Sequence, residues 1–286
     1  MKLQDLIAFS SLIEVMDIGA ACIAEVPVYK RLIDAGLARL NAFEGDARHV
    51  HKIRETYGES ARVFPQFLGD GRQHTLYQAR ELTGMTSLLR PDRKALRFFN
   101  GFENFGQIER EVPVQTTRLD DVAEIGMVDF LKMDIQGSEL EVLKYGKEKL
   151  SRAVFIQLEV SFIALYENQP TLGDIDVWMR AQGFVPHCFL DVKRWSIAPT
   201  VREGDFRMPF NQLLEADLVY MKDPLRPNRL DREQLQKMAL IAHHCLGSVD
   251  LCVHALMELG NRGAVPKDTF QRYLQSLSAP AVPPLA

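Results

Sequence analysis

Between Val128 and Gly146 the chain changes its hydrophobic period once. Val128, Phe130, Leu131 and Met133 form a nearly continuous apolar run, the pattern of a strand buried on both faces of a parallel sheet. Beyond it, Leu140, Val142 and Leu143 recur at helical spacing. The residues between, Asp134-Ile135-Gln136-Gly137, read as a tight turn, and Ser138 with Glu141 as an S-x-x-E capping box. The pattern predicts strand, turn and helix, with Asp134 at the strand's carboxyl end. Open α/β sheets bind their ligands at that edge.

The same periods order the rest of the chain. Leu3, Leu6, Ile7 and Leu12 make a short helical stripe ahead of a first strand, Ile13 to Ile18, with Gly19 in its turn. A helix over Tyr29 to Ala35 stops at Gly36, a strand runs from Ala38 to Phe43, and a helix covers Asp46 to Tyr57. A third strand spans Ala61 to Leu68 and ends in Gly69-Asp70-Gly71. This β-α-β-α-β order predicts a parallel sheet with right-handed crossovers.

From Gln73 to Glu111 the pattern is irregular, and Phe98, Phe99, Phe102 and Phe105 suggest hairpins or a lid. A short helix over Asp120 to Glu124 precedes the central strand. Ala153 to Glu159 reads as a fifth strand, and Thr171 with Asp174 caps a helix that ends at Gly183. Val185 to Leu190 and Leu213 to Met221 look like a closing antiparallel pair.

A linker rich in Pro and Arg, residues 223–229, leads to helices over Asp231 to Leu246, Ser248 to Leu259 and Pro266 to Leu277. The expected division is a main domain over 1–224, a helical extension over 225–277 and a disordered tail over 278–286. Leu235, Met238, Ala242 and Cys245 make an apolar stripe that needs cover. Docking on the main domain, with a contribution to homodimerisation, is the expectation.

Composition narrows the classes. A chain of 286 residues with 47% hydrophobic residues can bury one large core. A net charge of -4 supplies no broad electrostatic attraction to nucleic acid. No apolar run approaches the roughly 20 residues that span a bilayer, and the N-terminus reads as an amphipathic helix and not a signal peptide. The four cysteines lack C-x-x-C spacing, so a reducing cytoplasm is the expected location, with no disulfide framework. His243-His244-Cys245 and Cys252-Val253-His254 invite a metal, but buried thiols usually act as small hydrophobes; no metal is expected.

The segment Leu131-Lys132-Met133-Asp134-Ile135-Gln136-Gly137-Ser138-Glu139 resembles the L-K-[IV]-D-[IV]-E-G-x-E signature of the FkbM-type methyltransferases, with Gln136 where relatives carry Glu. Asp17-Ile18-Gly19-Ala20 is similar to that family's D-x-G-A opening, although Ala21-Cys22-Ile23 lacks the second glycine. Ala42-Phe43-Glu44-Gly45 is similar to its A-F-E-P. The resemblance runs from about Leu12 to Asp223. It implies a Rossmann-like class I methyltransferase fold, a seven-stranded, mostly parallel sheet with its last strand antiparallel and helices on both faces, to which the C-terminal helices are a small appendage. It also implies S-adenosylmethionine as donor, S-adenosylhomocysteine as product, and a hydroxyl acceptor, often on a sugar or secondary metabolite.

The residues themselves point to an adenosyl-sized site at the carboxyl edge. Gly19 lets backbone approach a ligand, with Asp17 and Ala20 beside it. Glu44, ending the second strand, is placed to accept from both ribose hydroxyls. Asp70 follows the third strand, where related folds often contact the adenine amino group. Asp134 is the first candidate to take or orient the acceptor's proton, with Glu159 and Glu139 behind it; Glu139 also suits a helix N-terminus without any catalytic duty. His187, Lys193 and Trp195 read as rim residues. Two other readings stay open: a methyltransferase fold that binds without turnover, and an NAD-dependent oxidoreductase, which should show G-x-G-x-x-G after the first strand.

Overall fold

The computed structural model describes residues 2–20, 26–80 and 83–278. The departures at Ala21, Cys22 and Ile23 lie outside these residues, as does the expected tail from residue 279 on. In chain order the elements begin with α1 (Leu3–Leu6), β1 (Ile13–Ile18), α2 (Lys30–Asp34), β2 (Ala38–Phe43) and α3 (Ala47–Tyr57). Next come β3 (Ala61–Phe64), β4 (Phe67–Leu68), β5 (Gln73–Ala79), α4 (Arg93–Phe98), α5 (Phe102–Phe105) and β6 (Ile108–Thr117). The central motif supplies β7 (Phe130–Met133) and α6 (Glu139–Lys144). After it stand β8 (Phe155–Ser161), α7 (Leu172–Ala181), β9 (Phe184–Arg194) and β10 (Leu213–Lys222). The last helices are α8 (Arg232–Ile241), α9 (Val249–Asn261) and α10 (Thr269–Ser278).

The chain forms two compact units. One comprises the described parts of Met1–Ile13, Val26–Ala38 and Pro224–Ala286, the other those of Glu14–Glu25 and Arg39–Asp223. The C-terminal helices thus share a unit with two N-terminal segments, a grouping that a boundary at residue 224 alone does not describe. Within that unit the stripe Leu235, Met238 and Ala242 is buried. Gln236, also buried, donates to the carbonyl of Ile7 at 2.7 Å. An Asp231–Gln234 capping box starts α8, which runs on into a π-helical turn over Ala242–Leu246.

The larger unit is built on a seven-stranded sheet of order β3-β2-β1-β7-β8-β10-β9. β1, β7 and β8 pair in parallel, as do β2 and β3, while β10 runs antiparallel to both β8 and β9. The expected seven-stranded, mostly parallel sheet of a class I methyltransferase fold, with its last strand antiparallel, is therefore present. Leu131, Met133, Ile156 and Leu158 from the central strands pack with Leu140, Val142 and Leu143 of α6 and with Ile175 and Met179 of α7. Burial on both faces is what the continuous apolar runs of β7 and β8 require.

Three local expectations are corrected. The third strand of the main sheet stops at Phe64, because Phe67 and Leu68 pair instead with Thr116 and Thr117 of β6. That pairing starts a second sheet of order β4-β6-β5. Asp120 to Glu124 is not a helix; a single 3-10 turn covers Leu119–Asp121. The irregular region, expected as hairpins or a lid, does hold an antiparallel β5–β6 pair, with two short helices, and Phe99, Phe102 and Phe105 cluster with Trp195. The rings of Phe102 and Trp195 meet edge to face at 5.2 Å. At the central junction Ser138 makes no capping bond, and Glu141 does not complete a box.

Leu131 is fully buried in the central strand, whereas Val177 on α7 is 73% exposed. Leu131→Ala should therefore cost about 2–5 kcal/mol in urea unfolding, and Val177→Ala less than about 0.5 kcal/mol. Comparable losses in the two variants would contradict this core.

Candidate active site

Backbone bonds lace four strand ends together across the carboxyl edge. The amide of Glu44 donates to Phe64 at 3.1 Å, those of Gly19 and Ala20 to Phe43 at 3.0 and 3.3 Å, and that of Asp134 to Ile18 at 3.0 Å. Glu44, Gly19 and Asp134 consequently stand side by side, as the sequence pattern leads one to expect. Gly19 has a sharper reason than ligand approach. With φ at +76°, a Cβ there would lie 1.9 Å from the carbonyl oxygen of Asp134. Only glycine lets the two turns meet this closely.

Behind the edge lies a buried charge cluster. Asp17, 1% exposed, pairs across the ladder with Lys132, whose Nζ lies 3.4 Å from its carboxylate. Burial pulls the Lys132 ammonium down, but Asp17, then Asp134 and Asp217, outweigh it and hold it above its ordinary range. Asp17 thus serves first as the counter-ion of a strand lysine.

The turn after β7 connects this cluster to β8. Gln136, in the left-handed region at φ +59°, donates through Nε2 both to Asp134 at 2.9 Å and to Glu159 at 2.6 Å. Its Oε1 accepts from the hydroxyl of Tyr166 at 3.0 Å, and its backbone carbonyl from Ser87 at 2.7 Å. Lys193 donates to Glu159 at 3.3 Å and to Glu215 at 2.9 Å. Burial, with Asp134 and Glu215 adding repulsion, holds the Glu159 carboxyl well above the usual range despite Lys193. A glutamate at 136 would add a further carboxylate to this group; the amide instead bridges two of them as a donor.

Glu139 does not enter that arrangement. Its Oε1 accepts from the amides of Ile135 and Gly137, each at 3.1 Å, and so closes the turn that the Ser138–Glu141 box was expected to cap. Burial pushes its carboxyl up to about 7, against the pull of those amides. Asp70 is likewise not brought to the strand row. The early end of β3 leaves it in the turn between β4 and β5, where its carboxylate accepts from the Arg72 amide at 2.9 Å and meets His74 at 2.8 Å.

Glu44 is buried, and one of its oxygens accepts from the Asp46 amide at 2.8 Å. Directly after it, Gly45, Asp46 and Arg48 line a cavity of about 370 Å³ with Phe67, Leu76 and Gln78. Sequence reasoning missed Tyr166, Ser87 and Glu215 and gave Lys193 only a rim; no periodicity marks these positions. Among the described residues His243, His244, Cys245 and Cys252 do not converge as metal ligands. His243 bonds Tyr273 at 3.0 Å instead, and burial pushes the Cys252 thiol up to about 12.

A family model described as the methyltransferase FkbM domain matches residues 22–186. The 2-O-methyltransferase NoeI of Sinorhizobium fredii is 30% identical over 150 residues, which are 48% of this chain and 60% of NoeI. The chain thus spans less than two thirds of that relative. Two solved structures resemble it at 12% identity and a TM-score of 0.36. The magnesium protoporphyrin IX methyltransferase of Synechocystis with bound donor covers 77% of this chain and 78% of its own. TrmK of M. capricolum with S-adenosylhomocysteine covers 96% of each. Neither likeness is deep enough to carry chemistry over.

Glu139→Ala leaves two turn amides without their acceptor and should cost about 2–4 kcal/mol, whereas Glu139→Gln keeps an acceptor in place and should cost under about 1 kcal/mol. The carboxyl's folded value lies above its unfolded one. Its contribution to stability is therefore complete below the ordinary range near 4.5 and is lost as pH rises through about 7. Urea titrations should show that slope in the wild type and not in Glu139→Gln; parallel pH profiles would refute it.

Proposed function

On the premise that the chain belongs to the methyltransferase FkbM family, whose donor is S-adenosylmethionine, we propose that it methylates a hydroxyl of a small saccharide or related metabolite. Membership in a methyltransferase family removes the NAD-dependent oxidoreductase reading. The observation that carries the proposal is the adjacency of Gly19, Glu44 and Asp134 along one laced sheet edge. The surrounding excess of carboxylates, Asp17, Asp134, Glu159, Glu215 and Asp217 against Lys132 and Lys193, suits a cationic ligand. When bound, the donor supplies a methyl already activated on a sulfonium.

The chain's own residues do the rest. Glu44 holds the ribose hydroxyls, and the adjoining cavity of about 370 Å³ takes the adenine side. Gly19 and Ala20 keep the first turn close to β2, and Asp17 holds Lys132 in its place. Asp134 orients the acceptor hydroxyl and takes its proton, since alignment is the main task with an activated donor. Glu159, its carboxyl held above the ordinary range by burial and by Asp134 and Glu215, is tied to Asp134 through Gln136 and lines the acceptor side. The O-methyl specificity and the saccharide rest on the partial likeness to NoeI.

Glu44→Ala should weaken calorimetric binding of S-adenosylhomocysteine by about 1.5–3 kcal/mol, the scale of charge-assisted hydrogen bonds. Unchanged binding would remove Glu44 from the site. Asp134→Asn should lower turnover by about 10²–10⁴ while changing donor affinity far less. Equal losses in both would make Asp134 a donor contact, and a wild type that binds donor but turns over no hydroxylated acceptor would leave a binding protein.

No described helix is long and apolar enough to cross a membrane, and the cytoplasm is the proposed location. The C-terminal helices are the proposed dimer contact, because Met257, Leu274 and Leu277 are exposed on α9 and α10. Light scattering on the full chain should give a dimer that Met257→Glu with Leu274→Glu dissociates; an unchanged mass would place the contact elsewhere.

A further inference from the structure

Among the described residues, one group of side chains apart from the donor edge has the composition of a metal site. Asp70 in the β4–β5 turn, His74 on β5 and Glu141 on α6 offer ligand atoms that all lie within 4.8 Å of one another. The three come from separate elements, so tertiary structure brings them together. His74 Nε2 lies 2.8 Å from Asp70 Oδ1. The Asp70 carboxylate is oriented by the Arg72 amide at 2.9 Å and by Thr116 Oγ1 at 3.4 Å.

Glu141 stands out within the group. Its carboxylate is half-buried, yet among the described residues no N–H or O–H donates to it. It is also given room: a Cβ on Gly69 would lie 3.2 Å from Glu141 Oε1. A half-buried carboxylate without a donor, aimed at a second carboxylate and an imidazole, is poorly stabilised as it stands. A divalent cation would neutralise both acids and use the imidazole nitrogen at once. The competing cations are Lys144, on α6 itself, and Arg72, whose Nε is 3.7 Å from Asp70 Oδ2 but whose side chain is 80% exposed and can turn away into solvent.

We propose that Asp70, His74 and Glu141 bind one first-row transition-metal dication, Zn²⁺ or Mn²⁺. One imidazole with two carboxylates is a borderline ligand set that favours these ions over Mg²⁺ and Ca²⁺, which prefer oxygen alone. The ion ties the β4–β5 turn to the first turn of α6, the helix that follows Asp134. Its role is structural, and it takes no part in the transfer step.

The test uses the full chain after chelator treatment, titrated calorimetrically with Zn²⁺ or Mn²⁺ and with Mg²⁺ for comparison. One equivalent of Zn²⁺ or Mn²⁺ should bind and raise the melting temperature, with Mg²⁺ at least tenfold weaker. Glu141→Gln and His74→Gln should each weaken binding at least tenfold, while His243→Gln should leave it unchanged. In the unsubstituted chain, Zn²⁺ should also shield His74 from carbethoxylation, read by peptide mass spectrometry, so the result does not depend on the variants folding. A wild type that binds neither ion, variants that bind as tightly as wild type, or His74 modified equally with and without Zn²⁺ would each overturn the proposal.

Discussion

The carbonyl of Asp134 occupies the place where a side chain on residue 19 would begin, and the whole carboxyl edge follows from that contact. There the Asp134 amide ties the end of β7 to Ile18 of β1, and the amides of Gly19 and Ala20 tie β1 to Phe43 of β2. The cost is local: Gly19 and Gln136 both sit at positive φ, and the latter is not a glycine. The Gln136 conformation is held by partners on Ser87, Tyr166, Asp134 and Glu159, which over-determine it.

Charge is the second constraint. The edge gathers many more carboxylates than cations, and burial makes each unbalanced one expensive. The structure answers in three ways. Lys132 and Lys193 are held charged by their acidic neighbours, the Glu159 carboxyl is held above its ordinary range, and an amide at 136 replaces a further acid. This solution leaves the edge negative in character around Asp134, which favours a cationic donor over an anionic dinucleotide.

The partition of roles among acidic residues shows what spacing can and cannot say. Glu139 and Glu141 both follow the turn, and the box pattern favoured Glu141 as the capping partner. In the folded chain Glu139 reaches back to the turn amides, and Glu141 points toward Asp70 and His74. Helical spacing places residues on a face, but which face is buried, and against what, depends on elements far away in sequence. Asp70 makes the same point. Its position after an apolar run suggested a strand end, yet Phe67 and Leu68 find their partners in Thr116 and Thr117, nearly fifty residues on by the numbering.

The sequence by itself determined the alternation of strands and helices, the turn at Asp134 and the carboxylates that end β2 and β7, because continuous apolar runs and glycine stops are local properties. It also determined membership in the family, since the signature from Leu131 to Glu139 survives as a contiguous string. Only the tertiary structure decided that β3 ends at Phe64, that Asp17 is the partner of Lys132, and that Gln136 bridges Asp134 and Glu159. Tyr166, Lys193 and Glu215 joined that group for the same reason. Cross-strand register and the closure of remote loops bring those residues together, and neither leaves a period in the chain that can be read before it folds.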